Sequence, residues 1–403
     1  MLNSVLRLPH RVLFGNGAVE TAGGLVASLG RHAFVCTDPA IAATETAAKV
    51  RASLEAAGVA VREYAATEAE LPLSCLDECV ATAAAGPVDV VIGLGGGSCL
   101  DIAKGTALLL SDPGSIRRFY GENQVTSEVL PIVAIPTTAG TGSEVTSVAV
   151  FADPERALKV GVSDPHLIPT IAICDPQATV TCPASVTGFS GVDALVHAVE
   201  SYCAPARENP WSSYPGDVFR GREPLTRHYA LQALDHIATA LERAYNDGAD
   251  LGAREEMLFA SLCAGIAFAH AGCASAHALQ YPVGAATHTP HGLGVALLLP
   301  YTLEIARPEA DAALGDVAAA LHAPDTGADR ATAAIDEIER LTHAVGVPLS
   351  LKEIGVTPND VGPFAIDGLG VTRLVRNAPR PMTEEDFVKV LEAAYAGDRS
   401  LVH

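Results

Sequence analysis

The sequence contains no run of about 18 uninterrupted apolar residues, so it offers no transmembrane helix. Its N-terminus, MLNSVLRLPHRVLFGNG, has basic residues but no long apolar stretch and no small-residue cleavage site. It does not read as a signal peptide, and a cytoplasmic location is expected. Positive charge is scarce: 26 Lys and Arg face 47 Asp and Glu, for a formal net charge of −21. That deficit excludes nonspecific binding to nucleic acid or an anionic membrane, since both need a basic face. No CxxC pair occurs, and the nine cysteines are odd in number. A disulfide framework or zinc ribbon is therefore not supported, and reduced thiols in a cytosolic protein are expected. Cys75 and Cys79 lie four apart on an expected helix, where packing accounts for the spacing. Internal repeats and low-complexity tracts are absent.

What is present is a chain of 403 residues, 49% hydrophobic and 18% charged, the composition of a folded globular protein large enough for two or three domains. Its first part alternates short apolar runs with helical patterns. HAFVCTD (32–38), VAVREYA (59–65), VDVVIGLGGGS (88–98), LPIVAIPTT (130–138) and TIAICDP (170–176) read as strands. Continuous apolar strands separated by helices predict a parallel sheet covered on both faces. Beyond about residue 185 the spacing is helical, as in TGFSGVDALVHAVESYCA and AREEMLFASLCAGIAFAHAG. The predicted organisation is an α/β, Rossmann-like dinucleotide-binding domain over 1–183 and an all-helical domain over 184–403. APARENPWSSYPGDVFRGREP (204–224) interrupts the helical pattern as a long loop holding the only tryptophan, Trp211.

Two segments carry nucleotide-binding character. GLGGGSCLDIAK (93–104) follows a strand and opens a helix, so its glycines admit a pyrophosphate to the free N–H groups of the helix start. Gly95, Gly96 and Gly97 are present, but Ser98 stands where GxGxxG requires a glycine, and a plain strand–helix turn would also use such glycines. PTTAGTGSE (136–144) follows another strand and is rich in hydroxyls. Two such loops at strand carboxyl ends mark the usual ligand position of an α/β sheet. Asp38 ends a third strand, where an acid accepts hydrogen bonds from a ribose diol and repels a 2′-phosphate, favouring NAD over NADP. Lysine is rare, yet Lys104 and Lys159 both fall near these loops.

SAHALQYPVGAATHTPHG (275–292) gathers three histidines in an apolar setting. In GVDALVHAVESY (191–202), Asp193 and His197 are four apart and share one helix face. Such a pair is also common as a surface or capping contact, but the apolar helix and the downstream histidines point to a cation. Asp193, His197, His277 and His291 together supply one oxygen and three nitrogens, a set suited to Fe(II) or Zn(II) rather than Ca or Mg. His270 reads as packed structure. His288 reads as a group behind the ligands or a proton relay.

GGGSCLDIAK, IPTTAGTGSEVTSVAVF, GVDALVHAVESY and HALQYPVGAATHTPHG, taken together, resemble the iron-containing (group III) alcohol dehydrogenase family, with the dehydroquinate synthase-like architecture. The likeness runs from LFGNGAVE (13–20) to NAPRPMTEEDF (377–387). It implies a metal on Asp193, His197, His277 and His291, placed between the domains. It implies NAD(P) at Gly95, Gly96, Gly97 and Ser98, with Asp101 on the nicotinamide side. By the same likeness Thr137, Thr138 and Ser143 belong to the second nucleotide loop, Asp38 meets the adenosine ribose and Lys159 lies near the cofactor. The implied reaction is hydride transfer between a small alcohol or hydroxy acid and its aldehyde or ketone, in a homodimer. One departure stands out: many members carry a histidine four residues after the His277 position, where this chain has Tyr281. Tyr281 and the 204–224 insertion are features of the hydroxyacid–oxoacid transhydrogenase branch, with Arg207, Arg220 and Arg222 as a fork for a substrate carboxylate. A dehydroquinate synthase-like lyase is the remaining alternative, weakened by the lack of a lysine-rich pattern.

Overall fold

The computed structural model describes residues 3–403 except Ala157, Asn209, Pro215, Thr326 and Ala328. It divides into two compact units: 7–182, and 183–403 together with 3–6. The first residues thus join the helical unit, whereas the sequence reading assigned them to the α/β domain. A cause is visible in Glu223, whose carboxylate accepts from the Val5 N–H at 3.0 Å and the Ser4 hydroxyl at 3.2 Å.

The α/β unit is organised by a six-stranded sheet of β1 (Arg11–Phe14), β2 (His32–Cys36), β3 (Ala60–Tyr64), β4 (Val90–Gly95), β6 (Ile132–Pro136) and β9 (Ile171–Cys174). Their spatial order is β1-β9-β6-β4-β2-β3, and every pairing is parallel. Alternate residues feed opposite cores, as the two-residue period of a strand requires. Ala33, Val35, Val90, Ile92 and Leu94 enter one buried cluster. Phe34, Cys36 and Val91 enter the other with Leu76, Ile102 and Phe151. A smaller sheet holds β5 (Gly121–Glu122), β7 (Val148–Asp153) and β8 (Leu158–Ser163), with β7 and β8 antiparallel. This hairpin and β1 are additions to the strands expected from sequence.

A buried lysine ties the small sheet to the large one. Lys104 lies on the helix Gly97–Ser111 that follows β4, and its side chain is fully buried. Its Nζ stands 2.9 Å from Ser143 Oγ, 3.0 Å from the Thr146 carbonyl and 2.7 Å from the Val148 carbonyl. Burial lowers the ammonium to about 8. Glu144 is buried beside it, and one of its oxygens, Oε1, makes no hydrogen bond. Burial pushes that carboxyl up to about 7, with the Lys104 charge pulling the other way.

Between Pro183 and His403 the described residues form no strand. The helix Ala184–Cys203 is buried on all sides from Gly191 onward, which explains its near-continuous apolar sequence. No single helix among the described residues is long and apolar enough to cross a membrane. Helices Leu251–Ala271 and Ser275–Thr287 reach that criterion only as a pair, and they are bent by 102°.

The Glu144 burial sets a pH dependence. Between 4.5, its ordinary value, and about 7 the folded chain binds more protons than the unfolded chain, so stability falls as pH rises through that window. The full effect is about 3 kcal/mol. Glu144→Gln is expected to remove that fall, so its melting temperature should gain on the wild type from pH 4.5 to 7. Parallel melting curves at matched pH check this, and a constant difference across the window would refute it.

Candidate functional site

In the α/β unit the glycine turn is built for close approach. Gly95 ends β4 with φ +150°, and a Cβ there would sit 2.5 Å from Cys99 Sγ. Gly96 caps the 97–111 helix without any side-chain hydrogen bond; the Cys99 N–H donates to the Gly96 carbonyl at 3.0 Å, which leaves the Gly97 and Ser98 N–H groups to face a ligand. The second loop packs directly on this turn: a Cβ on Gly97 would stand 2.8 Å from Thr141 Cγ2, and one on Gly96 3.4 Å from Thr138 Cγ2. The Thr137 N–H donates to the Gly95 carbonyl at 3.0 Å. Gly95 and Gly96 therefore pack against Thr137 and Thr138, with Gly95 and Thr137 buried, and Gly97 and Ser98 are half-buried in the helix's first turn.

Asp101 and Ser143 turn toward each other instead. Ser143 Oγ donates to Asp101 Oδ1 at 2.6 Å, and Asp101 Oδ2 accepts the Val150 N–H at 2.9 Å. With Lys104 on Ser143, these groups position the second loop, and Asp101 spends both oxygens on the protein. Asp38 lies two residues beyond β2 and caps the helix Pro39–Ala42 through Oδ1, which accepts from Ala40 and Ile41 N–H at 2.9 Å. Its Oδ2 accepts from the Cys99 thiol at 3.5 Å beside the glycine turn. Lys159 forms an ion pair with Glu70.

In the helical unit four residues from three helices converge. Asp193 and His197 occupy successive turns of the 184–203 helix. His277 lies in the first turn of the 275–287 helix, and His291 opens the helix His291–Ala320. Asp193 Oδ1 stands 3.7 Å from His197 Nε2, 3.8 Å from His277 Nε2 and 3.8 Å from His291 Nε2. Ligand atoms on a tetrahedron with bonds of about 2.1 Å are roughly 3.4 Å apart. The three separations from Asp193 are a few tenths wider, and the ligand atoms of Asp193, His277 and His291 all lie within 4.8 Å of one another, a spacing that can close on one divalent cation. Asp193, His197 and His277 are buried and His291 is partly exposed. His277 Nε2 is buried with no hydrogen-bond partner, a loss that a bound cation would recover.

Three groups that sequence reasoning overlooked shape this cluster. Glu200, buried one turn beyond His197, stands 2.7 Å from His277 Nδ1 and accepts the Ala274 and Ala276 N–H groups at 2.7 and 2.8 Å. It fixes the tautomer that leaves Nε2 as the lone-pair nitrogen and raises its basicity. Its signal was the 193/197/200 spacing on one helix face. Phe268 stacks on His197, with ring centroids 4.0 Å apart and planes 16° from parallel. Gly292 lets two helices touch: a Cβ there would sit 1.9 Å from the Phe189 carbonyl oxygen and 3.1 Å from Asp193 Cβ. Any side chain at 292 would force His291 away from Asp193.

Tyr281 is buried one helical turn after His277. His288 is exposed at the end of the same helix, in the left-handed region at φ 54°. His270 is buried with Nδ1 3.0 Å from the Ile266 carbonyl, in a packed position. The arginine fork does not form as expected. Arg220 is fully buried, its Nε donating to Glu223 at 2.8 Å, because it supports the residue that caps the helix Pro224–Asn246. Arg207 donates to the Arg376 carbonyl and to Asn377 Oδ1 at 3.1 and 3.0 Å, and Arg222 approaches the Tyr202 carbonyl at 3.5 Å. Within 204–224, Asn209 and Pro215 lie outside the described residues, and Trp211 is exposed.

Comparison with known proteins addresses both units. Residues 9–176 match the family model described as iron-containing alcohol dehydrogenase, and 187–395 match the C-terminal model of the Fe-containing alcohol dehydrogenase family. The chain is 35% identical to long-chain-alcohol dehydrogenase 1 of Geobacillus thermodenitrificans over 95% of its own length and 94% of that protein. It is 31% identical to the NAD-dependent methanol dehydrogenase of Bacillus methanolicus, over 96% and 98% of the two chains. A crystal structure of 1,3-propanediol oxidoreductase superposes with a TM-score of 0.90 at 29% identity, covering 98% of this chain and 100% of that one. None of these comparisons supports Zn(II) as the ion. With both halves matched and relatives similar from end to end, the chain belongs to the iron-containing alcohol dehydrogenase family and is an enzyme of that type.

Proposed function

We propose that this enzyme uses NAD and an iron(II) ion to interconvert a small alcohol or hydroxy acid with the corresponding aldehyde or ketone. The observation that carries the reading is the set of three imidazole Nε2 atoms, two of them on buried residues, each 3.7 to 3.8 Å from Asp193 Oδ1. Asp193, His197, His277 and His291 would hold the ion, with Glu200 orienting His277. One carboxylate and three imidazoles suit a borderline divalent ion. When bound, the ion supplies a Lewis acid toward the substrate oxygen and the nicotinamide supplies the hydride acceptor.

The chain's own residues bind and orient. The open first turn at Gly97 and Ser98 receives the pyrophosphate, with Gly95 and Gly96 giving backbone access and Thr137 and Thr138 flanking it. Asp101, Lys104 and Ser143 keep that loop in place. Asp38 disfavours a 2′-phosphate by charge, and Lys159, paired with Glu70, lies in the same unit. Oxidation of the alcohol releases one hydride and one proton. Tyr281 and His288 are the groups proposed to pass that proton to solvent. Nine free cysteines support a reducing compartment. The transhydrogenase alternative rests on Tyr281, since the arginine fork is engaged elsewhere. It differs in needing an oxo-acid acceptor and no added NAD.

The test is metal analysis of anaerobically purified protein together with NADH formation from a panel of alcohols, diols and hydroxy acids. His277→Ala is expected to lose the metal and turnover while keeping NAD binding and a cooperative, if lower, melting transition. Glu200→Gln, which leaves the ligands in place, should weaken metal affinity about 10- to 100-fold. An active, metal-replete His277→Ala protein would overturn the assignment. Turnover seen only with an added oxo acid would favour the transhydrogenase.

Asp38→Gly tests the coenzyme choice. Glycine is tolerated at a helix N-cap at a cost of only a few tenths of a kcal/mol, so the fold should survive. Removing the charge should raise NADP use relative to NAD about tenfold or more, equivalent to roughly 1.4 kcal/mol. The ratio of kcat/KM values measures it, and an unchanged ratio would show that Asp38 does not meet the ribose.

A further inference from the structure

Cys273 plays no part in the ligand set above, yet it stands against it. The ligating atoms of His197, Cys273 and His277 all lie within 4.8 Å of one another, and all three residues are buried. Cys273 occupies the short break between the 251–271 and 275–287 helices, where Gly272 takes φ +88° and the chain bends by 102°. That bend returns the thiol to the imidazole four residues ahead.

The break is held from two directions. Asn377 Nδ2 donates to the Ala271 and Cys273 carbonyls at 2.9 and 3.3 Å. Glu200 takes the N–H groups of Ala274 and Ala276. The position of Cys273 is thus fixed by buried hydrogen bonds on both sides. His277 Nε2, 3.8 Å from Asp193 Oδ1, is buried without a hydrogen-bond partner in a residue only 4% exposed, so the imidazole that this cluster shares with the Asp193 set has a nitrogen open to a cation.

His277 therefore belongs to two donor groups. With Asp193 and His291 it forms an oxygen and nitrogen set, which His197 approaches at 3.7 Å from Asp193 Oδ1. With His197 and Cys273 it forms a sulfur and nitrogen set. Soft, thiophilic ions prefer sulfur, whereas harder divalent ions prefer carboxylate and imidazole. We propose that Cys273 gives this centre a second coordination mode, in which a thiophilic divalent cation is held by His197, Cys273 and His277 in competition with the Asp193-containing mode. The thiol loses its proton to solvent as the sulfur–metal bond forms, and no electron is transferred. The inference shares His197 and His277 with the function proposed above but needs neither Asp193 nor His291. Ion identity at this centre then depends on which ion reaches it.

The probe is Cd(II), added to the full chain after its metal has been removed with a chelator under anaerobic conditions. The wild type is expected to develop an ultraviolet thiolate-to-cadmium charge-transfer band that saturates at one equivalent. Cys273→Ser should lose that band, bind Cd(II) at least about tenfold more weakly, roughly 1.4 kcal/mol, and still take up Fe(II). Asp193→Asn should do the reverse, losing Fe(II) while keeping the band. Absence of the band from the wild type, or its persistence in Cys273→Ser, would overturn the second mode. Failure of the wild type to bind Fe(II) while the Cys273-dependent band forms would instead refute the four-ligand assignment and leave this one standing. Melting curves of both variants separate loss of a ligand from loss of the fold.

Discussion

The Glu200 carboxylate accepts from three directions at once, and the geometry of the helical unit's centre depends on it. Two of its partners are the N–H groups of Ala274 and Ala276, at the start of a helix where no side chain caps. A helix start buried without partners would leave costly unsatisfied donors, and Glu200 removes that cost while its charge favours the positive end of the helix. The third partner is His277 Nδ1. One side chain thus allows a sharp break in an otherwise apolar segment and fixes which nitrogen of His277 faces Asp193. A buried charge is tolerated here because it is fully hydrogen-bonded.

A similar economy holds in the α/β unit. Lys104 is buried at a cost, and that cost is offset by Ser143, by the backbone of Thr146 and Val148, and by the charges of Asp101 and Glu144. An apolar residue would pack there with less penalty but would not hold a loop of hydroxyls and glycines in one conformation. The glycine turn shows the complementary device. Gly95 and Gly97 leave no room for a side chain of their own, so Cys99 and Thr141 pack directly against the backbone of the turn. The rigid polar groups lie behind this surface and the open N–H groups lie on it, which is how a site for a large anion is kept both ordered and accessible.

Much of this was legible in sequence because periodicity and motif both reported it. Four of the five strands from HAFVCTD to TIAICDP were visible because they are buried and read as continuous apolar runs, whereas the edge strand β3, AVREY, is only partly buried and was placed by the strand–helix alternation. The β7–β8 hairpin escaped because VAVFAD follows directly on a loop motif, and its alternation was absorbed into that motif. Asp193 and His197 were legible from helical spacing. His277 and His291, fourteen residues apart, were legible only from their clustering. Glu200 was missed although it lies on the same face, because its partners are backbone N–H groups supplied by a chain break 74 residues away. Arg220 was read as one arm of a carboxylate fork because it lies with Arg207 and Arg222 in a segment rich in Pro, Gly and Arg. Its burial arises from a local pairing with Glu223 that composition does not encode.

The same distinction explains Cys273. A cysteine in an apolar segment is ordinarily a small packed hydrophobe, and no spacing rule links residue 273 to residue 197. Only the bend at Gly272 brings the thiol to His197 and His277. The bend is required in any case to bring His277 to Asp193 and Glu200, so residue 273 is carried to the cluster by a geometry selected for another purpose. An aliphatic side chain at that position would fill the space and contribute no donor. A thiol of nearly the same volume fills it equally well and adds a soft ligand. The packing of the centre therefore leaves the choice at 273 nearly free, whereas its affinity for thiophilic ions depends on that choice directly.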